Sequence, residues 1–335
     1  RIQKGKIDTF SFEARRDQRV VIECFAERID SQLRAMLEVF DSDGRSVGVR
    51  RTTSGIDPLV DLIVLKDDTY TVKLYDLIYS GSNDHYYRLD IDTRPRPLFT
   101  VPAVVQAGRK TRVSVFGWNL LPKKPETSTV SDTLDRLEVD VVAPSVSEAS
   151  NSGLRISSTA VTNDCFSLRI PDGHAPVALS VTDVPVVIES SSSSSASSAI
   201  QLQIPSEVSG QLVGGAERDW FSFSARSGEV LWLEAFGQRI GSPVDLDVTI
   251  LNAAAEAELA HFDDEVSSLG GTRFPSSHSD PAGRFRVPED GRYLVLVRSV
   301  TGGLDDDPRR VYRFSLRREE PQLDVAILSN SDSST

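Results

Sequence analysis

Short runs of alternating apolar and polar residues recur along the chain, each closed by turn residues. Phe10–Phe12, Val20–Phe25, Leu37–Phe40, Tyr70–Leu74 and Tyr87–Ile91 are rich in β-branched or aromatic side chains. A strand with one buried face needs this period of two, because successive side chains leave opposite faces. Asp41-Ser-Asp-Gly44 predicts a tight turn with glycine supplying the positive φ, and Glu289-Asp-Gly291 predicts another ahead of Tyr293. No stretch holds a helical period beyond about one to two turns. Asn252–Ala260 has helix-forming composition, but it aligns with the Asp41 turn and the strand after it, and is read as a turn and strand edge. The chain is predicted to be all-β.

The pattern occurs twice. Without a gap, Asp8, Phe10, Phe12, Glu23, Phe25 and Arg28 fall on Asp219, Phe221, Phe223, Glu234, Phe236 and Arg239. The match resumes at Tyr70 against Tyr293 and at Tyr87 against Tyr312. The second copy has an approach strand, Ile200–Gly210, before its Gly-rich turn. The first copy begins at the equivalent of that turn, so its opening strand is expected to be missing from a fragment or supplied by another segment. Between the copies, Pro95 to Pro102 forms a proline-rich joint, and Val104–Leu120 reads as a strand ending in a bend. Further strands at Leu137–Val142, Cys165–Ile170 and Val177–Val181 complete one sandwich. The expected organisation is a β-sandwich over 1–93, a second over 94–189, a flexible Ser-rich linker over 190–199, a third sandwich over 200–318, and a polar tail over 319–335.

A chain of 335 residues, 39% apolar and 26% charged, is long enough for two or three domains with their own cores. The net charge of −12 makes a nucleic-acid backbone or an anionic membrane a poor partner, and leaves room for divalent cations. No apolar run is long enough to span a membrane. The chain starts at Arg1 and is read as a processed or trimmed piece of something longer. Cys24 and Cys165, its two cysteines, fall in different modules and are not expected to pair. Each is expected to be a buried, inert thiol, which fits a bacterial extracytoplasmic protein.

One combination of features is specific. A glycine shortly before Asp-x-Phe-x-Phe-x-Ala is followed by an apolar strand, then by Gly241-Ser-Pro243, then by Asp290-Gly-Arg-Tyr293. From Asp219 to Tyr312 it resembles the bacterial pre-peptidase C-terminal domain, a family that includes the collagen-binding modules of clostridial collagenases. The resemblance implies a small jelly-roll-like β-sandwich. Arg1–Asp92 resembles it too, with Asp68-Thr-Tyr70 in place of Asp-Gly-x-Tyr. Gly108–Leu120 resembles an Ig-like fold of the IPT/TIG type. The implied order is jelly-roll-like, Ig-like, jelly-roll-like, and the whole looks like the large secreted proteins of planctomycete-type bacteria. Such domains sit beside secreted proteases, where they are cut off during maturation or hold the enzyme on its substrate.

Catalysis finds little support. His85, His174, His261 and His278 form no H-E-x-x-H pattern, and no G-x-S-x-G elbow occurs. No serine or cysteine has a recognisable base, so the chain is not expected to be an enzyme. The sharpest candidate is a calcium site made by Asp263, Asp264 and Asp280, because calcium takes about six to eight hard oxygen ligands on loops. The resemblance implies an acidic stretch followed by a second aspartate in this place. The alternative is that Asp263 and Asp264 cap one turn and Asp280 begins another. In the first copy Arg50 and Arg51 replace the acidic pair, although Asp57-Pro58 matches Asp280-Pro281. Leu304–Pro308 is a second acidic loop, read as a solvated turn. Asp8 and Asp219 are expected to accept backbone N–H bonds, and the repeated Glu–Arg pairs to lie on the sheet surface. Tyr79 and Tyr86 are the candidate ligand contacts, while Trp220 and Trp232 are expected to pack in the core. The function expected is noncatalytic: a binding or spacer region of a larger secreted or surface-associated bacterial protein, contacting extracellular protein or polysaccharide. The alternative is an accessory region of a secreted protease precursor. Extracellular, cell-surface or periplasmic placement follows from either.

Overall fold

The computed structural model describes residues 1–52, 57–121, 134–149, 164–190, 193–265, 277–300 and 306–320, and every regular element among them is a strand or a single 3-10 turn. The first module holds β1 (Asp8–Ala14), β2 (Arg19–Phe25), β3 (Ala35–Phe40), β4 (Ser46–Arg51), β5 (Leu59–Ile63), β6 (Asp68–Asp76) and β7 (Arg88–Asp92). They form one sheet in the order β1-β6-β3-β4 and a second in the order β5-β2-β7. The alternation in β3 places Ala35, Leu37 and Val39 inward, where they meet Val20, Ile22 and Cys24 from the facing sheet. Two sheets each with one apolar face close over one another because that removes both faces from water.

The middle module has β8 (Arg96–Val101), β9 (Val104–Gln106), β10 (Lys110–Trp118), β11 (Asp135–Val142), β12 (Cys165–Leu168) and β13 (Val177–Thr182). Its sheets, β11-β10-β8 and β12-β13-β9, enclose Val113, Val115, Leu179 and Val181. The bend after β10 is made by Asn119 at φ 56, whose side-chain amide donates to Arg19 O and Thr93 O and so ties this module to the first. At the same joint His174 lies between Asp92, 2.5 Å from Nδ1, and Asp90, 3.1 Å from Nε2.

The third module contains β14 (Val186–Ile188), β15 (Ile200–Gln201), β16 (Ser206–Gln211), β17 (Arg218–Ala225), β18 (Val230–Phe236), β19 (Leu246–Asn252), β20 (Glu258–Phe262), β21 (Ala282–Arg286), β22 (Gly291–Ser299) and β23 (Val311–Arg318). Two five-stranded sheets, β14-β16-β23-β18-β21 and β15-β17-β22-β19-β20, face each other. Fully buried Phe221, Phe223, Leu231, Tyr312, Phe314 and Leu316 fill the space between them. The Asn252–Ala260 segment is the turn and strand edge expected of it, between β19 and β20.

Two details differ from the sequence reading. Val186–Ile188 falls within the range assigned to the middle module, yet it pairs in parallel with β16 in the third. The described part of the serine run is not a free spacer. Ser193 is buried, its carbonyl accepts the Trp220 N–H at 2.8 Å, and its hydroxyl donates to Glu189. Hydrogen-bonded backbone in a dry site is what polar composition alone does not predict.

Candidate binding surface

The most strongly built local structure is a capped turn that occurs in both outer modules. After β2 the chain makes a 3-10 turn at Glu27–Ile29 and leaves it through Asp30 in the left-handed region. After β18 the same turn runs over Gln238–Ile240 and leaves through Gly241. The N–H groups at the start of such a turn have no partner within it, so a carboxylate from elsewhere must take them. In the third module Asp280 does this, accepting from Gly237, Gln238 and Arg239 N–H at 2.7–3.0 Å and from Arg239 Nε at 2.8 Å. Asp57 does it in the first module, for Ala26, Glu27 and Arg28. Each arginine then reaches a glutamate one strand back, Glu234 or Glu23, and lies over Phe236 or Phe25. These ion pairs were expected on the sheet surface. Arg239 is instead 3% exposed, because the cap requires it at the turn's buried side.

Asp280 is therefore fully engaged, with both oxygens on hydrogen-bond donors. Asp263 and Asp264 are exposed on the loop after β20. They lie near Asp245, whose carboxyl is pushed up first by burial and then by the charges of Asp264 and Asp263. Among the described residues no group of three or more His, Cys, Asp or Glu side chains is arranged to hold a metal ion. Of the second acidic loop, Leu304 and Asp305 lie outside the described residues, and Asp307 pairs with Arg309 at 2.8 Å.

Asp8 and Asp219 accept from tyrosine hydroxyls, not from backbone. Tyr87 donates to Asp8 and Tyr312 to Asp219, each at 2.6 Å. These paired contacts were not foreseen, although the repeated tyrosines carried the signal. Burial raises the Asp219 carboxyl to about 7, and a buried carboxyl of this kind is held neutral more readily than charged.

The tyrosine loop divides by role. Tyr79, at φ 57 and 48% exposed, stacks on buried Tyr75 at 5.2 Å, so a fixed aromatic face is open to solvent. Tyr86 turns its hydroxyl to Ile29 O and Asp30 O and pins the capped turn. The two candidate contacts thus do not form one surface patch by hydrogen bonding. Trp220 and Trp232 are half-buried on the outer faces of their strands, outside the core where they were expected.

Nucleophiles are poorly placed. Burial pushes the Cys24 and Cys165 thiols up, away from the reactive thiolate. Ser82 Oγ meets His85 Nδ1 at 2.9 Å, but within one tight turn where the same hydroxyl also accepts Asp84 N–H. No helix among the described residues is long and apolar enough to cross a membrane.

Asp219 and the turn at Gln238–Ile240 with its cap Asp280 lie in one segment of the chain. Residues 217–299 match the bacterial pre-peptidase C-terminal domain. That family is one of noncatalytic accessory domains that occur in secreted bacterial proteins. No curated protein matches the chain. Among solved structures, the pre-peptidase C-terminal domain of the Bacillus anthracis collagenase is similar at 14% identity and a TM-score of 0.27, over 36% of this chain and 94% of that one. The periplasmic inhibitor of g-type lysozyme from Aeromonas hydrophila, PliG, is similar at 10% identity and a TM-score of 0.25, over 40% and 98%. The CUB1-EGF-CUB2 region of human MASP-1/3 is similar at 10% identity and a TM-score of 0.21, over 94% of each chain.

Proposed function

We propose that this chain is a noncatalytic binding and spacing region of a larger secreted or surface-associated bacterial protein. In this reading the first module is a second copy of the pre-peptidase C-terminal domain, and the middle module is Ig-like. The observation that carries it is the family match at 217–299, on one of two modules that share the same capped turn and Tyr–Asp pair. The target is an extracellular protein or polysaccharide matrix, met through the open ring of Tyr79. A rigid aromatic face of this kind stacks on peptide or sugar at small entropic cost.

Co-sedimentation of the intact chain with insoluble collagen, cellulose, chitin and peptidoglycan tests this. We expect retention on one matrix, weakened about tenfold in Tyr79→Ala. Hydrolysis of any of these materials by the chain would sink the noncatalytic reading. The same family match favours a second reading, an accessory region of a secreted protease precursor that aids secretion or substrate targeting. A peptidase domain in the same polypeptide would favour the second over the first.

A further inference from the structure

We propose that the cleft between the middle and third modules takes an extended peptide carrying acidic side chains. The cleft is separate from the Tyr79 ring, which belongs to the first module. The middle module meets β16 on the face opposite the buried Val208, where Ala103 N–H donates to Ser209 Oγ at 2.7 Å. Beside that contact β9 and β14 flank a cleft of about 350 Å³. Pockets for small ligands span roughly 300–1,000 Å³ and favour the joints between domains. Pro102, Val104, Val186 and Ile188 give this one its apolar lining, and Ile188 is 53% exposed there although it belongs to a strand.

The charges of the cleft are of one sign. Arg109, Lys110 and Arg112 line it, and none of its described lining residues is acidic. The chain as a whole carries a net charge of −12, so this run stands against the overall balance. Lys110 reaches Asp140 at 2.9 Å and Arg112 reaches Glu138 at 3.3 Å along β11, whereas no described carboxylate bonds Arg109. An incoming carboxylate therefore meets a guanidinium that is not already taken, and can be held by two N–H donors at once. The backbone selects a peptide over other anions. β14 pairs in parallel with β16, with Pro185 O accepting Glu207 N–H and Glu189 N–H donating to Ser209 O. Backbone groups alternate sides along a strand, so Val186 and Ile188 aim theirs away from β16. Both residues line the cleft. An extended chain laid beside β14 gains main-chain bonds from these two residues, while its acidic side chains reach the cations across the cleft. An anionic polysaccharide offers the charge without the strand pairing.

The test adds a fluorescently labelled Val-Asp-Val-Asp-Val peptide to the full chain and reads its anisotropy, with Val-Lys-Val-Lys-Val as the counterpart of opposite charge. We expect the acidic peptide to bind at least about tenfold more tightly, and Arg109→Glu, an exchange at an exposed turn residue, to remove that preference. Amide hydrogen exchange at Val186 and Ile188 is expected to slow by about tenfold when the acidic peptide is saturating. Tyr79→Ala is expected to leave peptide binding unchanged; its loss there would place the peptide on the first module and overturn the proposal. Equal binding of the two peptides would overturn it, as would an acidic preference that survives Arg109→Glu. Binding of the acidic peptide with unchanged exchange at Val186 and Ile188 would overturn the strand pairing, and displacement by polygalacturonate would then assign the cations to an anionic glycan.

Discussion

In the third module Tyr312, Phe314 and Leu316 are fully buried beneath β16, while Tyr87, Leu89 and Ile91 of the first module stand half-buried at an edge. The opposite sheets differ in the same sense. Phe221 of β17 is 0% exposed with β15 beside it; its equivalent Phe10, on the edge strand β1, is 37% exposed. Yet the capped turn, the Tyr–Asp pair and the stacked Phe–Tyr pair across the sheet are made in both modules. The difference separates two jobs. Polar contacts define the turn and the register and do not need the outer strands. The outer strands add burial, at roughly 1 kcal/mol for each large apolar side chain taken from half to full cover.

The largest expected effect breaks the polar half of that comparison. Asp280→Ala removes the acceptor of three N–H groups and one carboxylate partner of the buried Arg239, which keeps its bond to Glu234. Removing one partner of a buried ion pair costs about 3–5 kcal/mol. Asp57→Ala removes the same contacts, but the Arg28 side chain is 26% exposed against 1% for Arg239, so water replaces part of what is lost. We expect roughly half the loss. Equilibrium urea unfolding of each variant, followed by calorimetry, measures both. Equal losses would show that the open module is no wetter at its turn than the closed one.

A pH titration sharpens the comparison next. Burial lifts the Asp219 carboxyl to about 7, against an ordinary value near 4 in the unfolded chain. Folding therefore favours the neutral acid. Its contribution is complete below about pH 4 and is lost as pH rises through about 7. Between pH 5 and 8 the third module is expected to lose about 2–3 kcal/mol. Asp219→Asn keeps an acceptor for Tyr312 and is expected to flatten the profile. The His261 imidazole, raised by its bond to Asp247, adds a smaller slope of the same sign, because its protonated form is also the one favoured by folding. If the slope in Asp219→Asn equals that of the parent chain, the buried carboxyl is not its source.

The strands were legible because alternation is local: Leu37–Phe40 or Tyr70–Leu74 declares a half-buried strand wherever it folds. Partnership is not local. Val186–Ile188 falls inside the range read as the middle module, since nothing in its three residues says that β16 lies beside it. The serine run reads as a spacer because its order comes from Trp220 and Glu189, outside the run. Asp280 was visible as half of a repeated Asp-Pro pair, but its role as a cap depends on the chain bringing back the turn at 237–239. Tyr79 was legible as a surface ring, while Tyr86 needed the carbonyls of Ile29 and Asp30 to show what holds it.

The smallest expected effect concerns calcium, where the two modules differ in charge. With Asp280 engaged, the ligands left for a cation in the third module are Asp263, Asp264 and the nearby Asp245. These side chains are not arranged as a built metal site, so any binding at the exposed Asp263 and Asp264 is weak, with a dissociation constant on the order of 1 mM. At tenfold excess over that constant, binding to the folded state adds about 1.4 kcal/mol, a rise of a few degrees in melting temperature. Asp264→Ala is expected to abolish the rise, and Asp57→Ala to leave it intact. The first module carries Arg50 and Arg51 where the acidic pair would stand, so its own transition is expected not to move with calcium. A rise of equal size in both transitions would be a general ionic effect, and it would end the calcium reading of Asp263 and Asp264.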